Sequence, residues 1–133
     1  MSIIKAKITK IESIDSLHAI ECIFENTHIS LVTLEISNDI KIGRDIKLSV
    51  KPTHIAVGKT NASLSIQNQI PGTIENISQG KILSHLDLKT KSGFHLESII
   101  TTDSLMALGF KKDDAIIIYM NPTDVSVVGV CND

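Results

Sequence analysis

The sequence predicts an all-β protein made of two tandem units of about five strands each, the second carrying a short helix. Three observations lead to this prediction. Apolar and polar residues alternate in several short runs, a unit of 66 to 70 residues occurs twice, and the second copy contains a segment with a helical pattern. Two small units within 133 residues bury limited apolar surface, so we expect them to pack against each other and to oligomerise.

The first copy opens with the run IIKAKITKI, in which apolar and polar residues alternate. This period of two is typical of a half-buried strand and places Ile4, Ala6 and Ile8 on one side. The runs LHAIECIFEN and HISLVTLEI have the character of further strands, as do Ile46, Leu48 and Val50, which alternate within IKIGRDIKLSVKPTHIAV. A short fifth strand is expected after Pro52, which lacks a backbone donor and therefore belongs at a strand edge or a bend.

The pattern begins again after the polar segment GKTNAS at residues 58–63, which is typical of a linker or turn. IPGTIENI at 70–77 aligns with IKAKITKI at 4–11, an offset of 66 residues. MNPTDVSV at 120–127 aligns with VKPTHIAV at 50–57, an offset of 70, so the second copy has gained four residues in between. We therefore place the first unit at residues 1–62 and the second at 63–133.

The gained residues lie in TTDSLMALGF, residues 101–110, where the first copy has EISNDIKIG. The segment predicts a short helix with Thr102 or Asp103 as its N-cap, Leu105 and Leu108 facing inward, and Gly109 at its end. Closing a five-stranded sheet removes exposed strand edges, and OB-type barrels do so at this size. The prediction is therefore two tandem OB-type five-stranded barrels.

Composition and charge exclude several classes of function. A net charge of −2 and 3% aromatic residues argue against nucleic-acid binding, which needs a basic surface and stacking rings. No apolar run approaches the roughly 20 residues of a membrane span, and the alternating amino terminus does not resemble a secretory signal, so we expect a cytoplasmic protein.

Residues with catalytic or metal-binding chemistry form no recognisable motif. Cys22 and Cys131 have no CxxC spacing, which suits reduced thiols better than a disulfide or zinc site. The five histidines show neither an i, i+4 pair nor HExxH, although strand alternation leaves a cluster in space open. No nucleophile and base are paired by spacing, so we do not expect an enzyme.

Four segments of the second copy, SLSIQNQIPGTI, IITTDSL, LGFKKDDAI and MNPTDVSV, resemble in order and spacing the signature segments of the Mop or TOBE domain family, the molbindins. The first copy resembles the same domain through IKAKITKI, KIGRDI and KPTHIAV, so the resemblance covers nearly the whole chain. It implies cytoplasmic binding of molybdate or tungstate for storage, buffering or regulation, with no organic cofactor. It also implies a homo-oligomer, most often a trimer, with sites between domains.

A tetrahedral oxyanion of charge −2 presents four acceptor oxygens and is held by converging hydroxyls, N–H groups and a cation. The resemblance implies that three kinds of segment supply these donors. One is a Ser-x-Arg-Asn segment, another is a Thr-x-x-Ser segment at the start of the short helix, and the third is a Lys-Ala-Thr segment. The matching residues in this chain are Ser65, Ile66, Gln67 and Asn68 for the first, Thr101 and Ser104 for the second, and Lys51-Pro52 and Asn121-Pro122 for the third.

Two of these positions depart from the family pattern, because Gln67 stands in place of an arginine and Asn121 in place of a lysine. Lys51 is then the expected cation, meeting Ser65 and Gln67 across a domain or subunit interface. The departures motivate an alternative function, a structural or regulatory oligomerisation module with a degenerate anion site.

Each candidate also has a simpler interpretation. Residues 65–68 are equally a polar linker between two barrels, and Thr101 and Ser104 have the character of helix caps, a role compatible with binding. Lys51 by itself has the character of a solvated surface lysine.

Overall fold

The computed structural model describes residues 2–60, 62–91 and 93–131. Met1 and Asn61, the latter within the predicted GKTNAS linker, lie outside the described residues. The described chain is mostly β, with ten strands, one α-helix and two single 3₁₀ turns. The elements are β1 (Ser2–Ile14), β2 (Leu17–Phe24), β3 (Thr27–Thr33), β4 (Asp45–Val50), the first proline turn (Pro52–His54), β5 (Ala56–Gly58), β6 (Asn68–Gln79), β7 (Leu83–Thr90), β8 (His95–Thr101), α1 (Thr102–Leu108), β9 (Ala115–Met120), the second proline turn (Pro122–Asp124) and β10 (Ser126–Val130).

The mostly β prediction is confirmed, and the alternating runs bury the side that the period of two predicts. Ile4, Ala6 and Ile8 of β1 are buried, while the lysines between them are exposed. The same alternation occurs in β2, β7 and β9, and their inward side chains belong to one continuous apolar core. Burial of the apolar face is the main source of stability for strands whose other face is exposed to solvent.

The strands form two five-stranded sheets that each contain one strand from the other half of the sequence. The first sheet has the order β10-β4-β1-β2-β3 and the second has the order β5-β9-β6-β7-β8. In the first sheet Val127 pairs with Leu48, and in the second Val57 pairs with Ile118, both in antiparallel register. The short strand expected after Pro52 thus forms, and it pairs with β9 of the second copy. The boundary predicted at residues 62/63 stays a prediction, and both sheets contain strands from either side of it.

The chain passes from one sheet to the other at each proline turn, the first between β4 and β5 and the second between β9 and β10. The first proline turn packs on β8, the edge strand of the second sheet, and the second proline turn packs on β3, the edge strand of the first. In the same reciprocal way, β6 contacts β3 and β1 contacts β8. The edge strands β3 and β8 are therefore each covered by residues of the opposite half.

Helix α1 confirms the predicted helix and its end, with two corrections. Its N-cap is Thr101, one residue before the predicted pair, because the Thr101 hydroxyl accepts a hydrogen bond from the Ser104 N–H at 3.1 Å. Gly109 ends the helix with φ of 67°, a left-handed conformation that suits glycine. Leu105 is buried as predicted, but Leu108 is 41% exposed, because it is the last residue of a seven-residue helix that contacts only β7 and β8 closely.

Among the described residues, no helix has the length and apolar character that crossing a membrane requires.

Candidate functional site

The side chain of Asn68 joins the two halves of the chain. It is 1% exposed, at the first position of β6, and its amide makes two hydrogen bonds with the backbone of Ser30 in β3. The Ser30 N–H donates to Oδ1 at 2.7 Å, and Nδ2 donates to the Ser30 carbonyl at 2.8 Å. Ser30 lies on an edge strand, where its outward N–H and carbonyl have no neighbouring strand to bond to among the described residues. The Asn68 amide supplies the acceptor and the donor that such a strand would provide.

Gln67 and Asn121 lie next to each other because of the strand register. Asn68 pairs with Met120 in the antiparallel ladder, so the residues just outside that pair are Gln67 and Asn121. The Gln67 amide donates from Nε2 to the Ser30 hydroxyl at 3.0 Å, and Asn121 leads directly into the second proline turn that packs on β3. Gln67 and Asn68 thus bond to Ser30, and Asn121 and Pro122 belong to or precede the turn that packs on the same strand. We call these five residues the Ser30 group.

The first proline turn positions Lys51 and Pro52 beside β8. Lys51 is exposed and precedes the turn with extended backbone angles, and its side chain makes no capping hydrogen bond there. The turn is held to the second sheet at Ile55, whose carbonyl accepts a hydrogen bond from the buried Ser98 hydroxyl of β8. The Lys51 ammonium is thus carried on a fixed turn against the strand that leads to Thr101.

Thr101 and Ser104 form a separate pair of exposed hydroxyls at the junction of β8 and α1. The Thr101 hydroxyl accepts from the Ser104 N–H and donates to the Ser104 hydroxyl at 2.9 Å, so the two side chains are held together. The neighbouring Thr102 is buried and bonds to the Ser84 hydroxyl and the Gly80 carbonyl, each at 2.8 Å. Thr102 therefore holds the start of α1 against β7, while the hydroxyls of Thr101 and Ser104 lie at the surface.

The two proline turns differ in charge although they occupy equivalent positions. The first has the sequence KPTH and the second NPTD, so the lysine of one is replaced by an amide and its histidine by a carboxylate. The turns lie side by side, because His54 Nδ1 is 3.8 Å from Asp124 Oδ1. The first proline turn is the more favourable for an anion, because it carries the Lys51 ammonium, which attracts a negative charge.

The leader segment 65–68 lies beside the second proline turn within one chain. Ser65 is exposed, Ile66 is half-buried, and the Ile66 carbonyl accepts a hydrogen bond from Gln69 Nε2 at 2.9 Å. In the part of the chain that the structure describes, no hydrogen bond or ion pair joins Lys51 to Ser65 or Gln67. The predicted meeting of Lys51 with these residues across a subunit interface stays a prediction.

Ser30 and Ser98 were not predicted as part of the site, although both connect it to the sheets. Strand alternation places Ser30 on the outward and Ser98 on the inward side of their strands. No local pattern indicates that their partners lie 38 and 43 residues away along the chain. The two serines would have been found only by knowing which half covers each edge strand.

The fold and these donors define a mostly β binding protein of the OB type, with amides, hydroxyls and one lysine at two equivalent turns. Comparison with known proteins identifies the family. The TOBE domain model matches residues 64–127. Molybdenum-pterin-binding proteins 1 and 2 of Clostridium pasteurianum are 30% and 29% identical to this chain over 66 residues, which is 97% of each relative and 50% of this chain. The chain belongs to this Mop or TOBE family.

A solved structure with the same fold covers almost the whole chain. It is a crystal structure of the cytoplasmic molybdate-binding protein ModG with molybdate bound, with a TM-score of 0.90 and 18% sequence identity. The likeness extends over 97% of this chain and 95% of that one. At this identity it shows the fold, which thus includes both halves and not only the matched TOBE segment.

Proposed function

We propose that this chain binds molybdate in the cytoplasm, for storage, buffering or regulation of molybdenum, and catalyses no reaction. Two similarities support the proposal: relatives that are named for molybdenum-pterin binding, and a molybdate-binding protein with the same fold. The donors around the two proline turns agree with it, because they are amides, hydroxyls and an ammonium. Such groups hold an oxyanion and do not activate a nucleophile.

The observation that carries the proposal is the packing of the Lys51-bearing turn on β8, the strand that ends at Thr101. The first proline turn thereby brings an ammonium to β8, and that strand ends at the linked hydroxyls of Thr101 and Ser104. A molybdate dianion placed between them would accept hydrogen bonds from the Ser104 hydroxyl and from Lys51, while Thr101 donates its own proton to Ser104 and so orients that hydroxyl. Pro52 contributes by holding the turn rigid, since its φ is fixed by the ring.

The Ser30 group provides a second set of donors without a cation. Gln67 and Asn121 offer neutral amides, and Ser65 and Ile66 precede them with a hydroxyl and backbone groups. A copy of the chain that brings its Lys51 to another copy's Ser65 and Gln67 would complete the set. We therefore propose a homotrimer with oxyanion sites between subunits and no organic cofactor.

We further propose that residues 1–62 and 63–133 are two tandem OB-type barrels that exchange their last strands. The pairing of β5 with β9 and of β10 with β4 supports this proposal, because each exchanged strand adds a fifth strand to the sheet of the other copy. Tungstate is proposed as a second ligand, since it has the charge and tetrahedral shape that these donors recognise.

Calorimetric titration of the purified chain with molybdate, tungstate, sulfate and phosphate tests the proposal. We expect binding of molybdate and a loss of affinity in Lys51→Ala of about ten- to over a hundredfold, the effect of one charge-assisted hydrogen bond. Lys112→Ala is the matched control, because Lys112 is an exposed lysine in a turn remote from both proline turns. No heat with either metalate, or equal affinity in the two variants, would refute the site.

The alternative, an oligomerisation module with a degenerate anion site, is favoured by one observation. The amides of Gln67 and Asn68 already donate to Ser30, so part of the expected donor set serves to join the two halves. This alternative predicts stable oligomers with no metalate binding and no effect of Lys51→Ala. Measuring the oligomeric state of both proteins by sedimentation, with and without molybdate, separates the two functions.

A further inference from the structure

The second sheet carries a group of three side chains with metal-ligand chemistry on its outward face. His85 and Asp87 lie two residues apart on β7, and Glu97 lies on the neighbouring strand β8. Each offers one ligand atom, and these atoms lie within 4.8 Å of one another. We call these residues the His85 cluster, and it includes no residue of the proposed oxyanion site.

The carboxylates of this cluster are placed against each other by the strand register. Asp87 and Glu97 are direct partners in the antiparallel ladder, and both side chains are half-buried on the same face. Two like charges directly opposite each other destabilise a sheet, so this pair favours a cation between them. His85 lies beside both, with Nδ1 3.7 Å from Asp87 Oδ1 and Nε2 3.6 Å from Glu97 Oε2.

The first half of the chain shows that the fold does not require these residues. Asp87 pairs with Glu97 in the second sheet, and the equivalent pair in the first sheet is Glu21 with Ser30. The position equivalent to His85, two residues before Glu21, is Ala19. The same backbone thus forms with one carboxylate, a hydroxyl and a methyl group, and the histidine with two carboxylates is particular to the second half.

We propose that the His85 cluster binds a divalent transition-metal ion of the zinc type. One imidazole nitrogen and two carboxylate oxygens are ligands that such ions accept, and a ring nitrogen distinguishes them from Mg²⁺ and Ca²⁺, which prefer oxygen alone. Zinc bonds to nitrogen and oxygen are about 2.0–2.2 Å long, so tetrahedral ligand atoms lie about 3.3–3.5 Å apart. A single ion binds only one ring nitrogen of His85, and the three ligand atoms lie within 4.8 Å of one another, so side-chain rotations that bring them closer together reach that spacing.

The surroundings leave space for the remaining ligands of the ion. His85 borders a surface groove of about 390 Å³ that is also lined by Gln79, Leu83 and Ile99. The side chains of His85, Asp87 and Glu97 are 36%, 40% and 43% exposed, so water reaches the cluster and completes the coordination. The ion neutralises both carboxylates and links β7 to β8.

Calorimetric titration of untagged, chelator-treated protein with Zn²⁺ tests the proposal, with Mg²⁺ as the comparison ion. His85→Ala introduces the residue that the first half carries at this position, and we expect it to weaken zinc binding by about ten- to a hundredfold. His95→Ala is the matched control, because His95 is an exposed histidine of β8 that contacts one carboxylate, Glu75 Oε1, at 3.1 Å. It should bind zinc as the unaltered protein does, and both variants should keep their molybdate affinity.

Three results would overturn the site. They are the absence of zinc binding by the unaltered chain, equal zinc affinity in His85→Ala and His95→Ala, and Mg²⁺ binding as tight as that of Zn²⁺. Glu97→Gln provides a second variant, because it keeps the shape of the side chain and removes the charge. Its zinc affinity should fall with that of His85→Ala, and an unchanged affinity would refute the inclusion of β8. Because zinc and molybdate are titrated separately, failure of either proposal is visible without the other.

Discussion

Replacing Asn68 by alanine removes the amide that joins the two halves of the chain. Both hydrogen bonds of this amide go to the backbone of Ser30, at 2.7 and 2.8 Å, and the side chain is 1% exposed. The substitution leaves the Ser30 N–H and carbonyl without these partners and removes buried atoms from the contact between β6 and β3. We therefore expect a loss of stability that is large for a single polar side chain.

The magnitude follows from these contacts. Two hydrogen bonds at a net 0.5–1.5 kcal/mol each give about 1–3 kcal/mol, and an unpaired buried group adds about 1–3 kcal/mol. Ser30 is half-buried, so water satisfies part of what the amide supplied. The expected loss in the free energy of unfolding is therefore about 2–4 kcal/mol. Asn68→Asp should cost a similar amount at neutral pH, because a carboxylate does not donate to the Ser30 carbonyl.

Urea denaturation followed by circular dichroism measures this loss, at one protein concentration because subunit association adds to stability. Gln69→Ala is the control: its amide is exposed and makes one hydrogen bond, to the Ile66 carbonyl, so the change should cost less than about 1 kcal/mol. Equal unfolding free energies for Asn68→Ala and Gln69→Ala would refute the role assigned to Asn68.

Two further predictions concern the core and the helix. Burial raises the pKa of the Cys22 thiol from 9.0 to about 11. A thiol reagent at pH 8 should therefore label the half-buried Cys131 first. In the Cys131→Ser variant, the remaining thiol of Cys22 should react slowly until the protein is unfolded. Because the pKa of Cys22 is higher in the folded than in the unfolded chain, the stabilisation from this thiol is present below pH 9 and is lost as the pH rises through about 11. A free energy of unfolding that does not decline over this range would contradict the raised pKa of Cys22. Thr101→Ala should lower the free energy of unfolding by about 0.5–2 kcal/mol through loss of the N-cap. Thr101→Ser should keep both the cap and the metalate affinity. Equal stabilities of the two variants would exclude the capping role of Thr101.

The local elements were predictable because their signals are local. Alternation over four or more residues predicted the buried faces of β1 and β2, and Gly109 marked the end of α1. The N-cap was misplaced by one residue, and the inward orientation of Leu108 was wrong. Thr102 was the weaker choice because its hydroxyl bonds to Ser84 and Gly80 in the core, which leaves capping to Thr101.

The candidate site was only partly accessible to the sequence. The resemblance indicated segments 65–68, 101–104 and the two proline turns, but not how they combine. The register of β6 with β9 places Gln67 beside Asn121, and the packing of the first proline turn on β8 places Lys51 beside the second sheet. Ser30 was missed because its partner is Asn68, 38 residues away, and no periodicity encodes such a pair.

By itself, the sequence determined that this protein has two copies of a mostly β unit, which residues face the core and where the second copy gains its helix. These properties depend on side-chain period and on residue preferences for caps and turns. Only the tertiary structure decided that β5 and β10 are exchanged between sheets, that Asn68 joins the halves, and that His85, Asp87 and Glu97 meet. The period of a strand sets which face is buried but not which strand lies beside it; that choice is made by the packing of the whole chain.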